Sequence, residues 1–154
     1  KTHLALRTIT SLTGLEGRWQ LLNEDPMVIC DVAHNEEGVK LIAESLKEVN
    51  RPIYYILGFV KDKKLEDIIP LLPIGENYAF VKPTVIRGMD AKATKVAFQQ
   101  MGIAGTAYDT LSDALNKTLN KLPTSGQHPL IFIGGSNFIV ADLLHLRNEQ
   151  LLPF

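Results

Sequence analysis

The sequence predicts an α/β domain: a mostly parallel sheet of about six strands with helices on both faces, entered through an antiparallel hairpin strand. Three observations carry this. Short apolar runs of strand length alternate with amphipathic runs of helix length from Gly17 to Leu146. Most strand runs end in a polar or glycine-containing cluster that leads into helical periodicity, the order that parallel crossover units require. The first two runs are separated only by a short turn, which suits a hairpin. The arrangement is a three-layer, Rossmann-like domain, in which ligands bind outside the carboxyl ends of the strands.

The elements follow in order. Residues 1–16 place Leu4, Leu6, Ile9 and Leu12 at helical spacing before a stop at Thr13-Gly14. Trp19 and Leu21 belong to the first hairpin strand, Asn23 to Pro26 to the turn, and Met27 to Cys30 to a continuously apolar second strand, as expected of a strand covered on both faces. Asn35 is an N-cap with Glu36 and Glu37 in the first turn, and Val39, Ile42, Leu46 and Val49 complete a helix to Val49. Ile53 to Phe59 is a buried strand, followed by a charged loop and a short helix from Leu65 that stops at Pro73. Tyr78 to Val81 is a strand; Lys82 to Gly88 is a loop; Asp90 caps a helix that Gly102 and Gly105 end. Ala107-Tyr108 is a brief strand, and a helix starts at Thr110, Ser112 or Asp113. Pro129 to Ile133 is the last strand, and Phe138 to Leu146 the last helix.

The bulk numbers narrow the function. A chain of 154 residues, 45% hydrophobic and 21% charged, suffices for one domain with a real core. A net charge of -1 gives no electrostatic case for nucleic acid or an anionic membrane. No apolar run approaches the ~20 residues of a membrane span, and no signal peptide is visible. The lone Cys30 cannot form an internal disulfide and reads as a small buried hydrophobe in a reducing, cytoplasmic compartment. The chain begins at Lys1, in mid-pattern, which reads as a piece of a longer protein.

Polar candidates collect at the strand ends: Asp31, His34 and Asn35; Lys61 and Asp62; Arg87; Ser136 and Asn137. By residue type, Asp31 either bonds nearby backbone amides or accepts a ribose hydroxyl, and the two readings stand about even. An isolated Arg18 is ordinarily a solvated surface charge, and a lone His34 before a helix is more often a cap or packing residue than a catalyst. Gly134-Gly135-Ser136 is either a tight strand-to-helix turn or a place where backbone approaches a ligand at a helix N-terminus. Lys61 to Lys63 reads as a solvated charge run. Nothing supplies a metal-ligand set, and no G-x-x-x-x-G-K-[ST] phosphate loop is present.

G-R-x-Q at Gly17 to Gln20, followed by an apolar strand and D-x-A-H-N at Asp31 to Asn35, resembles the carboxy-terminal domain of the folylpolyglutamate synthase/dihydrofolate synthase family. That family belongs to the Mur-ligase-like group of ATP-dependent amide-forming ligases. Asn35 favours the folate branch over the peptidoglycan ligases, which have D-Y-A-H-x-P or related forms there. The resemblance covers nearly all of this chain and about the last third of the family's enzyme. It implies that residues 1–16 end a preceding central domain and linker, and that 17–154 form the C-terminal domain.

The resemblance also implies roles. Arg18 becomes an ATP-binding arginine reaching phosphate, and Asp31 an ATP contact. His34 lies in the active cleft, where it holds the incoming L-glutamate or takes a proton from its amine. Gly135-Ser136 followed by Val140 matches the family's G-S turn, which makes Ser136 a glutamate-binding residue. Arg87 resembles the family's P-R-A loop, with Gly88 in place of Ala, and holds a carboxylate. Lys61-Asp62-Lys63 matches a D-K-D loop in part, with Val60 replacing the first acidic residue. In the family, ATP phosphorylates a carboxylate of a folate or dihydropteroate substrate, and glutamate's amine attacks the acyl phosphate with magnesium in attendance. The phosphate loop and magnesium ligands belong to an amino-terminal ATPase part, so this chain would supply one wall of a cleft and be inactive alone. A peptidoglycan-type ligase domain and a non-catalytic α/β binding module are the other readings.

Overall fold

The structure is a computed structural model that describes residues 16–75 and 77–154. The helix expected near Leu4 to Leu12, and the boundary of a preceding domain, lie outside the described residues. Strands β1 (Gln20–Glu24), β2 (Met27–Cys30), β3 (Ile53–Leu57), β4 (Tyr78–Val81), β5 (Gly105–Tyr108) and β6 (Leu130–Gly134) form one sheet in the order β1-β2-β6-β3-β4-β5. β1 runs antiparallel to β2, and every other pairing is parallel. Between and after them lie α1 (Glu36–Lys47), α2 (Leu65–Ile68, continued by a 3-10 turn over Ile69–Leu71), α3 (Ala91–Gln100), α4 (Leu111–Lys121) and α5 (Asn137–Asn148).

Crossover handedness sorts the helices into layers. The connections β2 to β3, β3 to β4 and β4 to β5 all advance in one direction along the sheet, whereas β5 to β6 returns. Right-handed crossovers therefore put α1, α2 and α3 on one face and α4 on the other, and α5 lies with α4. The strands serve both layers by strict alternation. Ile29, Tyr55, Leu57, Tyr78, Phe80, Leu130 and Phe132 pack under α1 to α3. Val28, Cys30, Ile56, Ala79, Val81, Ile131 and Ile133 pack under α4 and α5. This explains why β2, β3, β4 and β6 read as unbroken apolar runs.

Helix starts are set by local chemistry. Asn35, Asp90, Thr110 and Ser136 are the N-caps of α1, α3, α4 and α5, and each side-chain oxygen accepts a backbone N–H of the first turn. Some boundaries differ from the sequence expectation. Trp19 does not belong to β1: it precedes it with φ 41 and a buried indole. Asn23 and Glu24 are strand residues, with the register slipping between Leu21 and Asn23, so the turn shrinks to Asp25-Pro26. β3 ends at Leu57, where the Gly58 N–H makes the last ladder bond, to the Gly134 carbonyl. Gly105 likewise opens β5 rather than ending α3. Among the described residues, no helix is long and apolar enough to cross a membrane.

The thickest part of the core is aromatic. Phe98 of α3 is fully buried, with ring centroids 4.6 Å from Phe80, 5.9 Å from Tyr78 and 5.9 Å from Phe59. Phe98→Ala is expected to destabilise the fold by about 3–5 kcal/mol, since the lost contacts leave a cavity that α3 cannot close. Urea unfolding checks this, and a loss below about 1 kcal/mol would show that α3 repacks freely.

Candidate active-site rim

Of the four central strands, β6 alone sends its following helix to the α4/α5 face. The connections after β2 and β3 leave for the opposite face, so the loops part on either side of β6. In an open α/β sheet such a switch point is where a crevice forms. The end of β6 also ties the rim together. The Asp31 N–H donates to the Ile133 carbonyl at 3.1 Å, and the Gly58 N–H donates to the Gly134 carbonyl at 3.1 Å. Gly135 has φ +103, and a Cβ there would stand 2.9 Å from the Gly58 carbonyl oxygen, so a side chain is excluded on both counts.

The G-R-x-Q segment is a turn that delivers Arg18 to this rim. Gln20 Oε1 accepts the Gly17 N–H at 2.7 Å, and the Gly17 carbonyl accepts the Val32 N–H at 2.7 Å. Gly17 has φ +82, and a Cβ there would lie 2.7 Å from Val32 Cγ1 and 3.0 Å from Val140 Cγ1. The chain is thus pressed between the loop after β2 and helix α5, with Arg18 exposed and Trp19 buried.

Asp31 is 8% exposed, and its two oxygens divide their work. Oδ2 accepts the Trp19 N–H and Oδ1 the Ala33 N–H, each at 2.7 Å. The carboxylate therefore fastens the turn before β1 to the loop after β2, as one of its two sequence readings has it. Burial pushes its carboxyl above the ordinary 3.8, while the Ala33 and Trp19 amides and the Arg18 guanidinium pull the other way. Cys30, the preceding residue, has its thiol pushed up to about 12, chiefly by burial and secondarily by Asp31, so it stays protonated and is no nucleophile.

His34 is exposed, and its Nδ1 lies 3.2 Å from the Val32 carbonyl oxygen. A carbonyl only accepts, so Nδ1 carries a proton, and in the neutral ring the lone pair is on Nε2. Asn35 Oδ1 accepts the Gly38 N–H at 2.8 Å. Ser136 is 2% exposed and caps α5, its Oγ accepting the Ile139 N–H at 3.2 Å. Beside this loop a shallow apolar recess opens between Ala33, Val39, Phe59, Phe132 and Gly135.

On the far side of β6, two loops that look unrelated in the sequence meet. The Lys61 N–H donates to the Arg87 carbonyl at 2.8 Å, and Val60 bridges Gly88. The Arg87 guanidinium lies 4.0 Å from the Asp62 carboxylate and 4.9 Å above the Phe138 ring. The Lys82 to Gly88 loop is also tied to α5, where Asp142 accepts the N–H and hydroxyl of Thr84. Phe138, Thr84 and Asp142 carry no signal in the sequence, because only the tertiary contact gives them a role. Arg18, Asp31 and His34 thus stand on one side of the β6 end, Lys61, Asp62 and Arg87 on the other, and Ser136 between them. Among the described residues, no group of three or more His, Cys, Asp or Glu is placed to hold a metal ion.

The family profile described as "Mur ligase, glutamate ligase domain" matches residues 17–136, a stretch that begins at the Gly17 turn and ends at the α5 cap. The chain belongs to this family. It is 23% identical over 148 residues to the dihydrofolate synthase/folylpolyglutamate synthase of Buchnera aphidicola subsp. Schizaphis graminum, covering 95% of this chain and 34% of that one. It is 27% identical over 150 residues to the same-named protein of Bacillus subtilis, covering 90% and 32%. In fold it is similar to Mycobacterium tuberculosis folylpolyglutamate synthase complexed with ADP and AMPPCP, with a TM-score of 0.76 at 22% identity over 84% of this chain and 31% of that one. The Yersinia pestis bifunctional folylpolyglutamate synthase/dihydrofolate synthase complexed with AMPPNP and Mn gives 0.73 at 19% identity, over 87% and 32%. The chain thus spans about a third of the length of these relatives, and this glutamate ligase domain has the expected mostly parallel six-stranded fold.

Folding favours the protonated form of Asp31, so its contribution to stability is full below the unfolded value and is lost as pH rises through the folded one. Asp31→Asn removes that titration. The stability of the wild type minus that of the variant is therefore expected to shrink from acid toward neutral pH in urea unfolding of the chain. A difference independent of pH would show an unshifted carboxyl.

Proposed function

We propose that this chain is the C-terminal domain of a cytoplasmic, ATP-dependent ligase of the folylpolyglutamate synthase/dihydrofolate synthase type, joining L-glutamate to a folate or dihydropteroate carboxylate. One observation carries the reading: the family's two motifs, Gly17 to Gln20 and Asp31 to Asn35, are locked together at the carboxyl rim of the sheet by the Asp31 carboxylate. An exposed arginine and an exposed histidine flank that lock. An amino-terminal ATPase part of the same protein would close the cleft from the other side, with residues 1–16 leading out of it.

In this reading Arg18 reaches ATP phosphate, for which a planar guanidinium fork is suited. Asp31 fixes the Arg18 turn and contacts ATP from the same loop. ATP phosphate would find its cation in the exposed Arg18 at this rim, while the space beside Gly135 is filled by the Gly58 carbonyl and the Phe59 ring. Magnesium, which neutralises charge during phosphoryl transfer, finds no ligand cluster among the described residues, and its ligands belong to the amino-terminal part.

The incoming glutamate lies along α5. The first turn of α5 has no acidic residue, whereas that of α1 has Glu36 and Glu37, so an anion is favoured at the α5 end of the rim. Ser136 shapes that end as its cap, and Arg87 supplies a cation to a glutamate carboxylate. His34 offers the Nε2 lone pair to a proton of the glutamate amine as the amine attacks the acyl phosphate and inorganic phosphate departs.

In the full-length protein, His34→Ala is expected to lower ligase turnover at least about 100-fold, the lower range for removing general-base help, and Asp31→Ala about 100-fold, as expected when the Arg18 turn is misplaced. Product formation from folate, ATP and L-glutamate measures this, and undiminished turnover in either variant removes that residue from the mechanism. The 154-residue chain alone is expected to make no product. Offering folates and UDP-linked muramoyl peptides side by side separates this reading from a peptidoglycan ligase.

A further inference from the structure

We infer that Phe138 and Asp62 are positioning residues for Arg87. Phe138 is the platform on which the guanidinium rests, and Asp62 is a placeholder carboxylate that the incoming amino-acid carboxylate displaces. The inference rests on the reading of Arg87 as a glutamate-binding cation and deepens it.

The geometry supports both halves. The Arg87 guanidinium carbon stands 4.9 Å over the Phe138 ring, within cation–π range. Phe138 is the second residue of α5, two after its Ser136 cap, so the platform is fixed by the same helix start that shapes the rim. The Arg87 backbone is held independently, by the Lys61 N–H on its carbonyl and by the Val60–Gly88 bridge. What remains adjustable is the guanidinium itself.

Asp62 meets it at 4.0 Å, the long end of an ion pair, with the two side chains 72% and 60% exposed respectively. Such a pair is weak and exchangeable in water. It occupies the Arg87 guanidinium without fixing it. A substrate carboxylate making a shorter, bidentate contact would replace it. Lys61 and Lys63 flank Asp62 in sequence and hold the local charge positive once Asp62 is displaced.

The test uses the full-length protein and the KM for L-glutamate. Phe138→Leu, which keeps apolar packing but deletes the π face, is expected to raise KM about 2- to 5-fold with kcat nearly unchanged, and Phe138→Tyr is expected to restore it. Asp62→Asn is expected to lower KM about 2-fold, by removing the competing carboxylate, and the gain should shrink at high salt. A merely structural role would move neither KM in this pattern. If Phe138→Leu and Phe138→Tyr behave alike, or Asp62→Asn leaves KM unchanged or raises it, the inference is overturned while the ligase reading stands. A wild-type protein that consumes no L-glutamate would overturn the ligase reading itself, and this inference with it.

Discussion

Two backbone hydrogen bonds at the end of β6 organise the rim: Asp31 N–H to the Ile133 carbonyl, and Gly58 N–H to the Gly134 carbonyl. They join loops from the start and the middle of the chain to a strand made near its end. β6 pairs with β2 on one side and β3 on the other, and each of its residues is buried. The sheet is therefore incomplete until the last strand inserts at its centre. The site cannot form from any local segment; its geometry is the product of the most non-local pairing in the fold.

Within that frame, Asp31 does two kinds of work with one carboxylate. Its oxygens are committed to the Trp19 and Ala33 amides, which makes it a fastener. Trp19 sits in the left-handed region at φ 41, a conformation that costs a non-glycine residue about 1–2 kcal/mol. The bond to Asp31 and the burial of the indole offset that cost. The reward is placement: Arg18, the residue before it, is left exposed beside the Asp31 loop. In the proposed mechanism, holding the turn is thus also what aims the arginine.

Much of this was legible in the sequence, and the failures have physical causes. Asn35, Asp90 and the apolar runs gave away helix starts and strands because capping and two-face burial are local properties. Strand order was not legible, because nothing in Leu130 to Gly134 says that it lies between β2 and β3 rather than at an edge. Trp19 looked like a strand residue because its apolar character is visible and its backbone angle is not. Lys61 to Lys63 read as a solvated charge run, and Arg87, in a separate loop, as a carboxylate holder by resemblance alone. Their meeting over Phe138 depends on Val60 and Gly88 bridging across the rim, a tertiary event without a sequence pattern.

The burial of Trp19 has one more consequence. It is the sole tryptophan of the chain, and its backbone amide is bonded to the Asp31 carboxylate at the proposed nucleotide contact. The chain therefore carries a single indole wired to its own site, so that tryptophan emission, excited apart from the four tyrosines, reports the state of the rim without any label.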